Sequence, residues 1–202
     1  MRIPAWAISV GVVIGAAGCL TWRIPERAPR IVIFELTPEP GIPLNPDPVR
    51  SAQGDVLLFL PKGWFPLELG DKAPRGIVAV GVNPEYTLAV TVAKLYPRAP
   101  SDTARQYDLL ELARQSFVRR QMKTAVGIRL IGDFAIVRVG QKAFATYRFA
   151  GVGRHVRVAV FVSLLGVAYE VALVPLLLRV IEPPPEEEQE QLFESILRAL
   201  QF

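Results

Sequence analysis

The chain has very few of the residues that most often bind metals or perform catalysis. Its 202 residues include one histidine, His155, and one cysteine, Cys19. The usual zinc sites need several Cys or His ligands, and covalent haem needs Cys-x-x-Cys-His, so neither is expected. A single cysteine also forms no internal disulfide, so sulfur chemistry does not indicate the compartment. The sequence predicts no metal and no cofactor.

Motifs of the common enzyme classes are missing as well. The chain contains no Gly-x-Ser-x-Gly and no Gly-Lys-Ser/Thr loop, and Gly151-Val152-Gly153 lacks the third glycine of a dinucleotide fold. A serine nucleophile needs a histidine as its base, and His155 is the only one available. Ser163 is therefore a poor nucleophile candidate. Asp133 and Glu170 are isolated acids in apolar strands, and we interpret both as outward-facing. The sequence therefore predicts a protein that is not an enzyme and has no catalytic residues.

Residues 1–22 are predicted to attach the chain to a membrane. Arg2 is the only charge before Arg23, and the stretch between them is apolar or weakly polar. As a retained helix it would span about 30 Å, enough for the hydrocarbon core of a bilayer. Alternatively, Ala16-Ala17-Gly18-Cys19 resembles the lipobox of bacterial lipoproteins, in which the signal is cleaved and the cysteine acylated. Cys19 is thus the candidate lipid-attachment residue, and both mechanisms remain open.

Two features of the sequence predict opposite sides of the membrane for the domain. Arg23, Arg27 and Arg30 follow the apolar stretch and favour a cytoplasmic domain by the positive-inside rule. The short basic start, apolar stretch and small-small-Cys ending are instead typical of an export signal. We expect an extracytoplasmic domain, periplasmic or lumenal, with the cytoplasmic orientation as the alternative.

Residues 23–53 are predicted to be a tether, because seven prolines within them disfavour helix. The apolar run Ile31-Val32-Ile33-Phe34 interrupts this segment, and it could pair as an edge strand or dock on a partner.

Residues 54–202 are predicted to form one α+β domain, an antiparallel sheet flanked by helices. Alternation along Val156, Val158, Val160 and Val162 is typical of a strand. A mid-chain helix is expected to start with Ser101 or Asp102 as its cap, and a closing helix follows Pro183-Pro184-Pro185. The further strand predictions are 56–60, 77–82, 86–95, 128–139, 143–149, 156–163 and 167–174.

The order of these elements resembles that of the PsbP family. The resemblance includes Pro61-Lys62-Gly63-Trp64 near the start of the domain and Phe193-Glu194-Ser195-Ile196 near its end. That family comprises extrinsic subunits of photosystem II and related bacterial envelope lipoproteins such as DcrB. The resemblance implies an α/β/α sandwich behind the anchor, and an accessory or assembly role without enzymatic activity.

Two groups of residues are candidates for a docking surface. Arg148, Arg154 and Arg157 lie on or beside adjacent predicted strands and could form a basic patch for anionic lipid or an acidic protein face. The second group is apolar and lies at sites normally exposed to water; it comprises Leu164, Leu165, Leu176, Leu177 and Leu178. These leucines are expected to pack under the last helix, and they would mark a docking surface if they face solvent.

The expected function is that of a membrane-anchored accessory or assembly subunit on a larger membrane protein complex, photosynthetic if the resemblance extends to function. The anchor makes a nucleic-acid partner improbable. The alternatives are a free-standing envelope lipoprotein of the DcrB type and a small-ligand binding protein.

Overall fold

The structure is a computed structural model that describes residues 31–70, 74–95, 108–124, 127–151, 153–176 and 181–202. The predicted anchor with Cys19, and residues 23–30 of the predicted tether, lie outside the described residues. Within the described residues, no helix is both long and apolar enough to cross a membrane.

Eight strands of the described chain form one sheet, in the order β1-β7-β8-β9-β10-β6-β5-β4. A separate pair, β2 with β3, lies outside this sheet. The elements are β1 (Val32–Leu36), β2 (Val49–Arg50), β3 (Leu57–Leu58), β4 (Phe65–Pro66), β5 (Ile77–Val82), β6 (Leu88–Lys94), α1 (Leu109–Lys123), β7 (Arg129–Val139), β8 (Lys142–Gly151), β9 (Arg154–Val162), β10 (Ala168–Pro175) and α2 (Glu186–Ala199).

The two helices cover opposite faces of the sheet, so the layers are α/β/α as expected. Phe193, Ile196 and Leu197 of α2 pack with one set of inward strand residues, among them Phe161. The other set, which includes Val158, packs with α1. Since successive strand residues point to opposite faces, the predicted alternation of β9 divides its side chains between the two layers.

The sheet departs from the expected all-antiparallel arrangement at one edge. β1 pairs parallel to β7, with Val32 beside Ala135 and Leu36 beside Val139. A parallel neighbour needs a long crossover connection, and here the chain between Leu36 and Arg129 supplies it. Residues 31–202 form one compact unit. Residues 31–53, which are part of the predicted tether, therefore belong to this compact unit.

Helix α1 is capped by a different residue from the one expected. Asp108 has extended backbone angles, and its Oδ1 accepts a hydrogen bond of 2.9 Å from the amide of Leu110. This is the geometry of an N-cap, so the helix begins at Leu109. Ser101 and Asp102, the predicted caps, lie outside the described residues.

Candidate functional site

The turn between β9 and β10 presents two leucines to solvent, and we call Leu164 and Leu165 the leucine tip. The turn is closed by hydrogen bonds from the Gly166 amide to the Ser163 carbonyl, 2.8 Å, and from the Ser163 amide to the Val167 carbonyl, 2.9 Å. Gly166 adopts φ +75°, a conformation that glycine takes without strain. Leu164 is 92% exposed and Leu165 64% exposed. Of the predicted leucines that the structure describes, these two lie at the surface and not under the last helix as expected.

A buried polar cluster holds the base of the leucine tip. The Asp55 carboxylate accepts hydrogen bonds from the hydroxyls of Ser163 (2.7 Å), Ser51 (2.7 Å) and Tyr169 (3.0 Å). Burial acts to raise the pKa of Asp55, but the hydrogen bonds from these three hydroxyls act against it and leave that pKa below its usual value. The cluster joins the loop after β2 to the β9–β10 hairpin, and it fixes the backbone under the two leucines.

Leu176, the third predicted leucine among the described residues, does not extend this surface. Leu176 is half-buried, and its amide donates to the Thr87 carbonyl at 2.7 Å, so its backbone is tied to the β5–β6 turn. Leu177 and Leu178 lie outside the described residues.

The three predicted arginines do not form one exposed patch. Arg154 begins β9, while the leucine tip follows the other end of the strand, roughly 30 Å away at about 3.3 Å per residue. Its Nη1 donates to the Pro175 carbonyl at 3.1 Å. Arg148 is half-exposed and lies 3.8 Å from Glu190.

Arg157 is a correction to the sequence prediction, because it is only 1% exposed. β9 lies in the middle of the sheet, where α2 covers the face on which Arg157 lies. The guanidinium donates to Glu190 Oε2 at 2.7 Å, Gln189 Oε1 at 2.9 Å and the Glu186 carbonyl at 2.9 Å. Arg157 thus binds the first turns of α2 to the sheet, and it is unavailable to a partner.

Glu170 also has partners that the sequence did not reveal, whereas Asp133 is exposed as expected. Glu170, expected to face outward, accepts from Arg120 at 2.6 Å and from Ser116, and Ser116 is 2.6 Å from the Tyr147 hydroxyl. Burial raises the pKa of Tyr147 to about 12. The cluster joins α1 to β8 and β10. The available signal was that Ser116 and Arg120, four residues apart, share one face of α1.

A groove of about 430 Å³ lies beside β1 on the α2 side of the sheet. It forms where β7 shifts register between Ile131 and Ala135, with Gly132 in the shifted segment at φ +69°. Phe34, Phe193 and Leu197 supply apolar lining. The charged lining residues are Glu35, Asp133, Arg148, Arg157, Glu190 and Glu194. Across the described ranges, no group of three or more His, Cys, Asp and Glu side chains is placed to hold a metal.

Comparison with known proteins identifies the fold. No protein-family model and no curated protein sequence matches the chain. The solution structure of cyanobacterial PsbP (CyanoP) from Synechocystis sp. PCC 6803 superposes with a TM-score of 0.53 and 12% identity. The match covers 75% of this chain and 89% of that one. LpqN of Mycobacterium tuberculosis, described as involved in cell envelope biogenesis, has 18% identity over 72% of this chain and 82% of its own, with a TM-score of 0.40. The fold is therefore PsbP-like, as predicted.

Proposed function

We propose that this PsbP-like chain is a membrane-anchored, non-catalytic accessory or assembly subunit. Its domain is extracytoplasmic, and it docks on a membrane protein complex through the leucine tip. The observation that carries the proposal is the exposure of Leu164 and Leu165 on a turn whose Ser163 hydroxyl donates to Asp55. Burying a leucine side chain fully is worth about 1.5–3 kcal/mol, so a preformed pair of leucines can contribute most of a modest affinity. The photosynthetic nature of the complex is suggested by the PsbP resemblance.

The arrangement of Ser163 and His155 supports a non-catalytic role. Nucleophilic catalysis needs the serine within hydrogen-bond reach of its base. His155 is the second residue of β9 and Ser163 follows its last residue, so roughly 26 Å separates them at about 3.3 Å per residue. The Ser163 hydroxyl donates to Asp55, and His155 pairs with Glu186 on α2. Each group therefore has a structural partner.

Copurification tests the docking proposal. The full chain, tagged and extracted in mild detergent, is expected to bring down a stoichiometric complex. The double variant Leu164→Asp/Leu165→Asp is expected to come out alone, since losing roughly 3 kcal/mol or more lowers affinity over a hundredfold. Met122→Asp is the matched control, because Met122 is 81% exposed but lies on α1. Wild-type protein that comes out alone would overturn docking and favour the free-standing lipoprotein.

Mass spectrometry of the amino terminus tests the attachment. A peptide that begins at a lipid-modified Cys19 supports the lipoprotein mechanism. An intact Met1-Arg2 peptide supports a retained helix. Protein that stays soluble without detergent after cell lysis would contradict both forms of attachment.

Small-ligand binding is a second candidate function, favoured by the groove beside β1. Its volume of about 430 Å³ falls in the range of small-molecule sites, and it combines apolar walls with charged side chains. Thr146→Trp is expected to fill it. Ligands that raise the melting temperature of the wild type, but not of this variant, would support the second function over docking.

A further inference from the structure

The two edges of the eight-stranded sheet differ in how they are protected. At one end, β4 is two residues long and contains Pro66, which has no N–H to offer a new strand. At the other end, β1 is five residues long with no proline, lysine or bulge. Short edges with proline or charge are how soluble proteins prevent sheet-to-sheet pairing. The only such protection within β1 is Glu35, near the end of the strand.

The side chains of the β1 edge are apolar on both faces and exposed. Ile31, Val32, Ile33 and Phe34 are 54%, 38%, 49% and 53% exposed. Phe34 and Val32 face the α2 side and line the groove, while Ile33 lies beside Ile136 on the α1 side. In the described part of the chain, no strand pairs with the outer edge of β1. The edge therefore offers a row of backbone groups flanked by apolar surface above and below the sheet.

We propose that a second copy of this chain covers the β1 edge, through antiparallel pairing of the two β1 strands about a twofold axis at Ile33. In this register Val32 lies opposite Phe34 of the second copy on one face, and the two Ile33 side chains meet on the other. An isologous interface must be complementary to itself. An apolar strand whose single acid, Glu35, lies near one end fulfils that requirement. All four exposed apolar residues lie within the paired segment.

The charges of β1 agree with this register. Glu35 is the only charged residue in the strand. It lies opposite Ile31 of the second copy, so the two Glu35 residues are offset by four positions, about 13 Å along the strand. That spacing exceeds the Debye length of about 8 Å at physiological salt, so their repulsion is screened. Pairing centred one residue later would place Glu35 opposite Ile33 of the second copy and bring the two Glu35 residues to two positions, about 7 Å along the strand, which is within the Debye length.

The interface is small, and this sets the conditions under which it forms. The five-residue strand and the preceding Ile31 together present four half-exposed apolar side chains, and they offer less than the about 800 Å² per partner of a standard interface. Pairing therefore depends on the proposed membrane tether, which confines the copies to one plane and raises their effective concentration. The dimer is expected in membranes and is expected to dissociate upon dilution in detergent.

A charge exchange at Ile33 tests the pairing. Two full-length copies with different tags are coexpressed, cross-linked in the membrane and then solubilised. Residues opposite each other in neighbouring strands are about 5 Å apart, so Ile33→Lys in both copies, or Ile33→Glu in both, is expected to reduce cross-linking at least tenfold. Ile33→Lys in one copy with Ile33→Glu in the other is expected to restore it. Leu67→Lys, beyond the β4 edge, is expected to leave cross-linking unchanged.

Two outcomes overturn the proposal. Cross-linking that persists at wild-type level when both copies carry Ile33→Lys places the contact elsewhere. Failure of the mixed pair to restore it shows that Ile33 does not meet Ile33. Membrane association is scored in the same samples by sedimentation, and its absence would overturn the proposed function separately from the Ile33 result.

Discussion

Replacing Arg157 by methionine should destabilise the domain by loosening α2. Arg157 lies under the first turns of that helix, and its guanidinium makes three hydrogen bonds of 2.7–2.9 Å to Glu190, Gln189 and the Glu186 carbonyl. Methionine has a similar length and no charge, so it fills the volume without forming these bonds. The change isolates the polar contacts from the packing of the side chain.

The size of the destabilisation depends on whether each acceptor of an Arg157 hydrogen bond finds another partner after the substitution. Glu190 is 42% exposed and regains water, and it also lies 3.8 Å from Arg148. Gln189 is buried, so its Oε1 loses a partner at a cost of about 1–3 kcal/mol. Methionine avoids the desolvation cost of a buried guanidinium, which recovers part of the loss. The expected net change in the free energy of unfolding is about −2 kcal/mol.

Urea denaturation of the full chain in mild detergent, followed by circular dichroism, measures this change. The matched control is Arg148→Met, which removes a half-exposed arginine whose ion pair is long, so a change within about 0.5 kcal/mol is expected. Equal stability of Arg157→Met and wild type would refute the view that these contacts stabilise α2. Reduced copurification of the partner complex by a folded Arg157→Met protein would show that Arg157 has a role in docking.

Three further changes test the other polar clusters. Hydrogen bonds hold the pKa of Asp55 below its usual value of 3.8, so its contribution to stability is present above that pH and is lost as the pH falls through the lowered pKa. Asp55→Asn should therefore flatten the acid decline of the melting temperature. Tyr147→Phe should cost about 1 kcal/mol at neutral pH through the lost contact with Ser116. Because the folded pKa of Tyr147 is raised from 10.0 to about 12, Tyr147→Phe should also reduce the loss of stability across that pH range in alkaline unfolding. Lys142 donates to two carbonyls at the end of α2, so Lys142→Met should cost about 1–3 kcal/mol and speed amide exchange in the last turn of that helix, whereas unchanged exchange would contradict the assigned contact.

The order of elements could be predicted because each depends on near neighbours in the sequence. The period-two pattern of β9 and the helical spacing of Phe193, Ile196 and Leu197 follow from strand and helix geometry. The turn at Gly166 could be predicted because glycine readily adopts the positive φ that the turn requires, here +75°. The hairpin turn placed Leu164 and Leu165 at a site normally exposed to water, but packing under the last helix was the expectation, and only the structure showed the two side chains at the surface.

The polar clusters could not be predicted, because their members are far apart in the chain. Ser163 and Asp55 are separated by 108 positions, and Arg120 and Glu170 by 50. A strand pattern shows that Arg157 shares a face with Ala159, but it does not show whether a helix covers that face. The sequence displayed a basic strand and an acidic helix start, and only their packing showed that the two neutralise each other.

By itself, the sequence determined the α+β composition, the strand alternation and the hairpin turn that carries the leucine tip, because local sterics and side-chain polarity act over a few residues. Only the tertiary structure decided which charges are buried, that residues 31–53 pack with the rest of the domain, and that β1 forms an exposed parallel edge. Those features arise where layers meet, and the contacts that define them join residues with no local signal of one another.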